Sequence, residues 1–526
     1  MAIIARLQAL LGPSAPERGY IPVEGGRPSP SRKVFGIHLT KADIRLHFLC
    51  LFFGLGTSVW GYNIGVLSSV LVHPGWTDLL NNPTPPQKGT VTGIYYVGTW
   101  LGYVFISRPL SDSLGRRYAA MCGTAMLCVG AAIQASCVGA GAFAAMVAGR
   151  AICGAGVAIV STSVPLYQSE ISPAKERGRF VAMNHVGFVV GLAVGLWVGY
   201  GMTFWTGPTG DYYGWRISIL LQLIPALTFA FGLSFAPESP RWLVEKGRVA
   251  QATSILHYLR EGSFTPSEVE DEVTSMLSGV DENYRPGWRA LFLEAPLFAR
   301  LWRASLLHFM AQMCGAAAMK YYLPTLLKAL GIGRRLALMA GAIEVTLKIG
   351  CSVLEMLVVD QWGRRLTLII GCAAMATAMM FNGTLPLLYP DNGSRVADAV
   401  CVVFIFVYAF GYSLGFGPAA WLYGSEIFPT SARARGLNFS ASAGSVGSII
   451  VAQVWPVGIA TFGSNIYFFF MGVNLVCIPI IYLFYPETKG RSLENMDELF
   501  GEVRAPAHRR AENGEDAESS GGVVSG

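Results

Sequence analysis

One arginine in this sequence lies where a charged residue is energetically unfavourable without a partner. Arg150 stands in an apolar run, 146–166, that carries no other charged residue. A charge inside such a run costs about 3 kcal/mol unless it reaches water or a partner. The natural partner is an acid in the first apolar run, but Asn63 occupies the polar position there and cannot carry a proton. His185 is the other titratable group expected at this level. Both residues have a structural alternative. Arg150 would then be an ion-paired or snorkelling arginine, and His185 would be a hydrogen-bonded interior histidine.

A charged loop occurs twice in the chain. Tyr167-Gln-Ser-Glu170-Ile-Ser-Pro173 returns 256 residues later as Tyr423-Gly-Ser-Glu426-Ile-Phe-Pro429. Two more pairs follow in the same order, at nearly the same offset: Asp112-x-x-Gly115-Arg116-Arg117 with Asp360-x-x-Gly363-Arg364-Arg365, and Pro237-Glu238 with Pro486-Glu487. Three ordered pairs at nearly constant offsets indicate a chain built by doubling, an organisation common among transporters.

Composition indicates a membrane protein. Of 526 residues, 14% are charged and 52% are apolar, whereas soluble proteins carry about a quarter charged residues. The apolar residues cluster in runs of about 20, the length that crosses the hydrocarbon core of a lipid bilayer. We therefore predict an all-α membrane protein with twelve transmembrane helices in two six-helix halves. The net charge of +6 lies in short loops, so it calls for no nucleic-acid partner, and no cofactor, metal site or enzyme activity is predicted.

The predicted segments follow from these runs. They are a disordered cytosolic tail 1–44, a six-helix half 45–236, a cytosolic helical linker 237–302, a second half 303–486 and a cytosolic tail 487–526. Lysine and arginine dominate the loops of one side, which places both termini in the cytosol. A plasma-membrane location is expected. Asn392-Gly-Ser then falls in an outside loop and is a predicted N-glycosylation site.

The doubled loops supply a set of residues for which we predict gating. A glycine permits a tight reversal, and the aspartate can cap the next helix or pair with an arginine. If the motif occurred once, its arginines would be explained by the usual excess of positive residues in cytosolic loops, which sets the orientation of a membrane protein. Two copies favour ion pairs that latch the cytosolic ends of the halves. The predicted gating residues are Asp112, Arg116, Arg117, Glu170, Arg177, Glu238, Arg241, Asp360, Arg364, Arg365, Glu426 and Arg433.

The seventh run carries an amide among aromatic residues. Gln312, Gly315, Met319 and Tyr322 have the spacing of one helical stripe. An amide and flat apolar rings suit a neutral polyol, although Gln312 would equally serve as a hydrogen bond between helices. The run 415–421 is predicted to be a broken helix, whose Trp421 lies against a sugar ring or at the membrane interface.

These residues together resemble the sugar porter family of the major facilitator superfamily, in its fungal form, over about residues 45–500. Pro237-Glu-Ser-Pro-Arg-Trp-Leu243 and Pro486-Glu-Thr-Lys-Gly-Arg491 are highly specific to it. The resemblance implies a major facilitator fold, a central sugar site and alternating access. The predicted substrate-binding residues are Asn63, Arg150, His185, Gln312, Tyr321, Tyr322 and Trp421.

Departures from the family pattern bear on the solute. Proton-coupled members carry an acid where this chain has Asn63, so the resemblance favours facilitated diffusion. The family's Gln-Gln-x-x-Gly-x-Asn motif corresponds to residues 311–317 of this chain, where two of its amide side chains are missing. The family's Asn-Trp pair corresponds to Gly444-Ser445. Ordinary glucose transport is therefore not expected. A pentose, a disaccharide, a polyol or a non-sugar metabolite remains open.

Three alternatives to a carrier that works by facilitated diffusion, a uniporter, remain open. The first is a symporter that uses protons, through His185 or Glu344. The second is a nutrient receptor on a transporter scaffold, against which the short tails argue. The third is an exporter of a fungal secondary metabolite.

Overall fold

The computed structural model describes residues 32–34, 37–39, 41–173, 177–281, 288–390, 393–417, 419–429 and 432–487. The predicted glycosylation site at Asn392 lies outside these residues, as do 1–31 and 488–526. The side chains of Arg177 and Asp360 also lie outside the described part.

The first half opens with two three-residue antiparallel strands, β1 (Arg32–Val34) and β2 (Ile37–Leu39), inside the tail predicted to be disordered. Its helices are α1 (Lys41–Val70), α2 (Pro74–Leu79), α3 (Pro85–Leu101), α4 (Ser107–Leu114), α5 (Arg116–Ala135), α6 (Ala142–Ile171), α7 (Arg177–Met202), α8 (Pro208–Leu220) and α9 (Leu223–Leu233). A π-helical turn, Gly102–Ile106, joins α3 to α4, and a 3₁₀ turn, Gly139–Gly141, precedes α6.

The predicted linker is helical, and this prediction is confirmed. It holds α10 (Pro240–Glu245), α11 (Val249–Arg260), α12 (Pro266–Asp281) and α13 (Trp288–Leu293). Arg260 on α11 pairs with Glu272 on α12 at 2.9 Å and donates to the carbonyl of Ile171, the last residue of α6, at 2.9 Å. The linker therefore packs against one end of the bundle, which we call the linker end. The opposite end is the far end.

The second half repeats the pattern of the first. Its helices are α14 (Ala295–Met313), α15 (Ala316–Ala329), α16 (Arg334–Trp362), α17 (Arg364–Leu388), α18 (Arg395–Gly415), α19 (Ala419–Ile427), α20 (Arg433–Phe462) and α21 (Ile466–Phe484), with a 3₁₀ turn at Gly463–Asn465 between the last two. The predicted break in the run 415–421 is confirmed, because α18 ends at Gly415 and α19 begins at Ala419.

Nine stretches of the described residues are long and apolar enough to cross a membrane, and the last of them, Arg435–Phe484, contains two helices. Some of the apolar runs are not single α-helices. Residues 90–107 contain the π-helical turn, residues 216–236 break between α8 and α9, and residues 303–327 break between α14 and α15. Large apolar side chains such as Leu51, Phe231 and Leu483 are exposed on the outside of the bundle, as lipid contact requires.

Glycines bring α1 and α7 into direct backbone contact. A Cβ atom on Gly61 would lie 1.9 Å from the carbonyl oxygen of Phe188, and one on Gly191 would lie 1.8 Å from that of Ser58. Only hydrogen side chains allow this approach, as at other close helix pairs in membranes. The close pair fixes the position of Asn63, two residues along α1 from Gly61.

Two seams join the halves near the far end. Along the first, Trp197 on α7 donates to Thr346 on α16 at 3.0 Å, and Arg335 donates to the carbonyl of Thr203 at 3.0 Å. Along the second, α3 lies against α20, and Gln453 donates to the carbonyl of Pro86 at 3.4 Å. The far end is therefore closed by hydrogen bonds between the halves.

Candidate functional site

Arg150 is the centre of a buried hydrogen-bond network between the halves. Its side chain on α6 is 1% exposed. Nη1 donates to Asn63 Oδ1 on α1 at 2.6 Å, Nη2 donates to the hydroxyl of Tyr321 on α15 at 3.1 Å, and Nε donates to the carbonyl of Val91 on α3 at 3.4 Å. Because Tyr321 belongs to the second half, the arginine joins both halves. The predicted proximity of Arg150 and Asn63 is confirmed.

The partners of Arg150 carry no charge. Asn63 donates its amide hydrogen to Gln222 Oε1 at 2.8 Å, so its carbonyl oxygen is oriented toward the guanidinium. The face of the Tyr95 ring lies 4.3 Å from the guanidinium carbon and supplies a cation–π contact. Among the described residues, no carboxylate pairs with Arg150. The cation is hydrogen-bonded but not neutralised.

Tyr322 makes the neighbouring contact between the halves. Its hydroxyl lies 2.7 Å from that of Thr92 on α3 and 3.2 Å from the carbonyl oxygen of Ala452 on α20. About two helical turns toward the linker end, Thr99 and Ser445 are joined at 3.1 Å. These contacts place Tyr322 at the level of Val91, whose carbonyl binds Arg150, and let it close the path between α3 and α20.

The stripe predicted for the seventh run is wrong, because the helix is not continuous. Gly315 has φ +103°, a left-handed conformation that ends α14 before α15 begins at Ala316. The carbonyl of Cys314 at the break accepts hydrogen bonds from the hydroxyl of Tyr408 at 3.1 Å and from Nδ2 of Asn474 at 3.2 Å. Residues before and after the break therefore face different neighbours.

Gln312 and Trp421 lie on the linker-end side of this break. The Oε1 atom of Gln312 is buried and has no hydrogen-bond partner among the described residues. The ring of Trp421 lies 4.9 Å from that of His308, whose buried Nε2 is likewise unpartnered in the described part of the chain. Trp421 also packs against a cluster formed by Tyr103 and Ala158 of the first half and Ala441 of the second. A donor-rich solute would supply hydrogens to both Gln312 and His308.

His185 lies apart from Arg150, in a second polar cluster. Its ring centroid on α7 is 6.1 Å from that of Phe188. The cluster also holds Lys320 on α15 and Lys348 on α16. Lys348 pairs with Glu344 at 3.6 Å, one helical turn apart on α16.

The doubled loops adopt one structure in both halves. In the first, the carboxylate of Glu238 accepts from the backbone nitrogens of Arg116 at 3.0 Å and Arg117 at 3.2 Å, and so caps α5. In the second, Glu487 does the same for Arg364 at 2.9 Å and Arg365 at 3.0 Å. Burial raises the pKa of Glu238, and the backbone hydrogen bonds oppose that rise.

The ion pairs of these loops join helices of the same half. Arg116 binds Glu170 through two hydrogen bonds of 3.0 and 2.9 Å, and Arg364 binds Glu426 at 2.8 Å. Asp112 lies 3.2 Å from Arg108. These contacts fix the linker ends of α5, α6, α17 and α19. A latch between the two halves stays a prediction.

The remaining predicted gating residues make weaker or local contacts. Arg117 donates to the carbonyl of Ala236 at 2.8 Å, and Arg365 donates to that of Tyr482. Arg433 donates to the carbonyl of Phe428 at 3.3 Å. Arg241 lies half-buried on α10.

Five residues of the site were not predicted from the sequence. They are Thr92, Gln222, His308, Lys320 and Tyr412. His308 precedes Gln312 by one helical turn, and that spacing was the available signal for it. The other four have no signal in a single sequence, because their partners come from distant helices.

The family model described as "Sugar (and other) transporter" matches residues 49–500. This chain belongs to that family. It is therefore a multi-pass membrane transporter of a sugar or related solute, with a fold of the major facilitator superfamily. The resemblance stated from its motifs is confirmed.

Relatives and solved structures agree with this assignment. A quinate permease of Neurospora terricola is 30% identical over 437 residues, covering 80% of this chain and 81% of the relative. The sugar transport protein MST3 of Oryza sativa is 26% identical and covers 87% of this chain and 90% of its own. The structure of the proton:xylose symporter XylE superposes with a TM-score of 0.73 at 24% identity, covering 86% of this chain and 99% of XylE. The likeness to XylE concerns the fold.

Proposed function

We propose that this chain is a facilitated carrier that moves a small polyhydroxylated solute by alternating access between its two halves. The observation that carries this proposal is the position of Arg150, held by Asn63 of its own half and by Tyr321 of the other. Any separation of the halves at this level must break the bond to Tyr321. A solute that binds beside this bond can therefore be coupled to the movement of the halves.

Asn63 supports the absence of proton coupling. Its amide holds Arg150 through a hydrogen bond of 2.6 Å and has no proton to exchange at physiological pH. The guanidinium of arginine is always charged. The central pair thus contains no group that titrates, and we infer that the solute moves down its own gradient. We place the protein in the plasma membrane with both termini in the cytosol, as the loop charges indicate.

A symporter is the second candidate. Glu344 is a buried carboxylate beside Lys348, and its position in α16 lies near His185, so a titratable cluster exists away from Arg150. A proton taken up there would have to move with the solute. The solute itself is open among sugars and other hydroxylated compounds, since quinate permeases stand among the relatives.

The test is uptake of a labelled panel of sugars, polyols and hydroxy acids by cells that lack their own hexose carriers, with and without a protonophore. We expect uptake that does not exceed the external concentration and that the protonophore does not lower. Accumulation that the protonophore abolishes would contradict uniport, and His185 and Glu344 would become the residues to substitute. A protein at the cell surface that takes up no member of the panel would contradict the carrier itself.

We expect the substitution Glu426→Gln to favour opening at the linker end. The neutral amide weakens the bond to Arg364, which holds the linker ends of α17 and α19 together within the second half. If the predicted latch depends on this arrangement, a loss of about 1 kcal/mol shifts the equilibrium toward the open linker end about fivefold. The measurement is the rate at which an impermeant thiol reagent, supplied from the cytosolic side, modifies a cysteine introduced by Ser445→Cys. Ser445 contacts Thr99 across the halves, so its exposure reports their separation. Asp398→Asn, at the far end, is the control. A labelling rate equal to that of the control would contradict the predicted latch.

A further inference from the structure

Lys320 places a positive charge between the two halves, one residue before Tyr321. It lies half-buried on α15. Its ammonium nitrogen is 5.3 Å from the centroid of the Tyr412 ring on α18 and 5.8 Å from that of Phe188 on α7. Since α7 belongs to the first half and α18 to the second, the ammonium group lies at the same interface as the Arg150 network.

The charge of Lys320 has no counter-charge in the described part of the chain. Lys348 also directs its nitrogen at Tyr412, 5.6 Å from the ring centroid, and the one carboxylate of this cluster, Glu344, pairs with Lys348. The cluster thus holds two ammonium groups and one carboxylate, and that carboxylate is paired with Lys348. Aromatic faces attract a cation but do not neutralise it. Lys320 accordingly has neither a carboxylate nor a hydrogen-bond acceptor among the described residues.

The same imbalance holds at Arg150, whose described partners are an amide, a hydroxyl, a carbonyl and an aromatic face. Two cations without counter-charge therefore lie in the middle of a membrane-spanning bundle. Charges in this position are costly, and those that persist mark the path of a solute or a partner charge that arrives from outside. An anion that enters between the halves would lower this cost.

We propose that the carried solute bears one carboxylate, that Lys320 binds it, and that the solute is a polyhydroxylated monocarboxylate rather than a neutral sugar. The inference rests on the proposed carrier function. Tyr412 and Phe188 supply the flat walls beside the carboxylate. The unpartnered Oε1 of Gln312 and Nε2 of His308 accept hydrogen bonds from hydroxyl groups at the other end of the solute.

The experiment uses the full chain in proteoliposomes and two pairs of labelled solutes that differ mainly in charge. Gluconate is compared with sorbitol, and quinate with myo-inositol. We expect uptake of at least one acid to exceed that of its neutral partner by about tenfold. Because a uniported monoanion carries charge, an interior-positive potential of 100 mV is expected to raise its accumulation about 50-fold. Uptake of the neutral partner should not respond to the potential.

Three variants separate the role of Lys320 from a structural one. Lys320→Gln is expected to lower uptake of the acid at least tenfold and to leave uptake of the neutral partner equal or higher. Lys320→Arg should restore part of the acid uptake, because it restores the charge. Lys328→Gln, on the same helix but exposed, is the control and should match the wild type.

The outcomes distinguish this inference from the carrier function. Acid uptake that Lys320→Gln leaves unchanged would overturn the role of Lys320. Neutral solutes that enter faster than the acids, without response to potential, would overturn the anionic solute and leave the carrier standing. Folded protein that carries none of the four would count against the carrier and this inference together.

Discussion

Replacing Arg150 with leucine is expected to reduce transport at least 100-fold. The substitution removes hydrogen bonds to Asn63, Tyr321 and the Val91 carbonyl at once. A hydrogen bond that involves a charged group contributes about 1.5–3 kcal/mol, so the loss of two is enough for this effect. The measurement is the initial rate of uptake in proteoliposomes with equal amounts of inserted protein.

Arg150→Lys tests whether charge alone suffices. A lysine ammonium is a point charge and cannot bond to the three partners, which approach the planar guanidinium from different helices. We expect it to recover little of the lost rate, about a tenth or less of the wild type. Arg289→Leu, which removes an exposed arginine of α13, controls for the change of charge. A full rate in Arg150→Lys would show that the hydrogen-bond geometry has no part in transport.

Gly61→Val is expected to destabilise the first half severely. The new Cβ would overlap the carbonyl oxygen of Phe188, which is backbone and cannot rotate away. Overpacking typically costs about 1–3 kcal/mol, and backbone contact places this case at the upper end. For a unit the size of the first half, 45–236, that corresponds to a fall of about 5–10 °C in the thermal midpoint of the solubilised protein.

Gly54→Ala provides the matched control on the same helix. A Cβ at Gly54 would meet no atom within 4 Å, so the midpoint should stay within about 2 °C of the wild type. Equal midpoints for the two variants would mean that α1 and α7 are not packed as described. A loss confined to Gly61→Val supports the close contact that positions Asn63.

Features that depend on local pattern could be predicted from the sequence. The doubled loops require glycine where the backbone is left-handed, with φ +99° at Gly115 and +88° at Gly363, and both glycines are visible as a motif. The linker 237–302 was predicted to be helical, and Val249–Arg260 is one of the helices it contains. Arg150 and Asn63 were matched because each is the polar exception in an apolar run.

Features that depend on distant partners could not be predicted. The break at Gly315 exists because Tyr408 and Asn474 satisfy the carbonyl of Cys314, and both lie on helices far along the chain. A glycine in an apolar run by itself is equally compatible with an unbroken helix. Lys320 was missed for the same reason, because the rings that surround it come from α7 and α18.

Counterflow is the measurement that tests a carrier site between the halves most directly. Proteoliposomes preloaded with an unlabelled solute, the one with the highest uptake in the panel, are diluted into a trace of the labelled form. A carrier that alternates around one site predicts a transient overshoot of label inside, without any ion gradient, and its loss in Arg150→Leu. Label that rises to equilibrium without overshoot, or an overshoot that survives Arg150→Leu unchanged, would contradict the account.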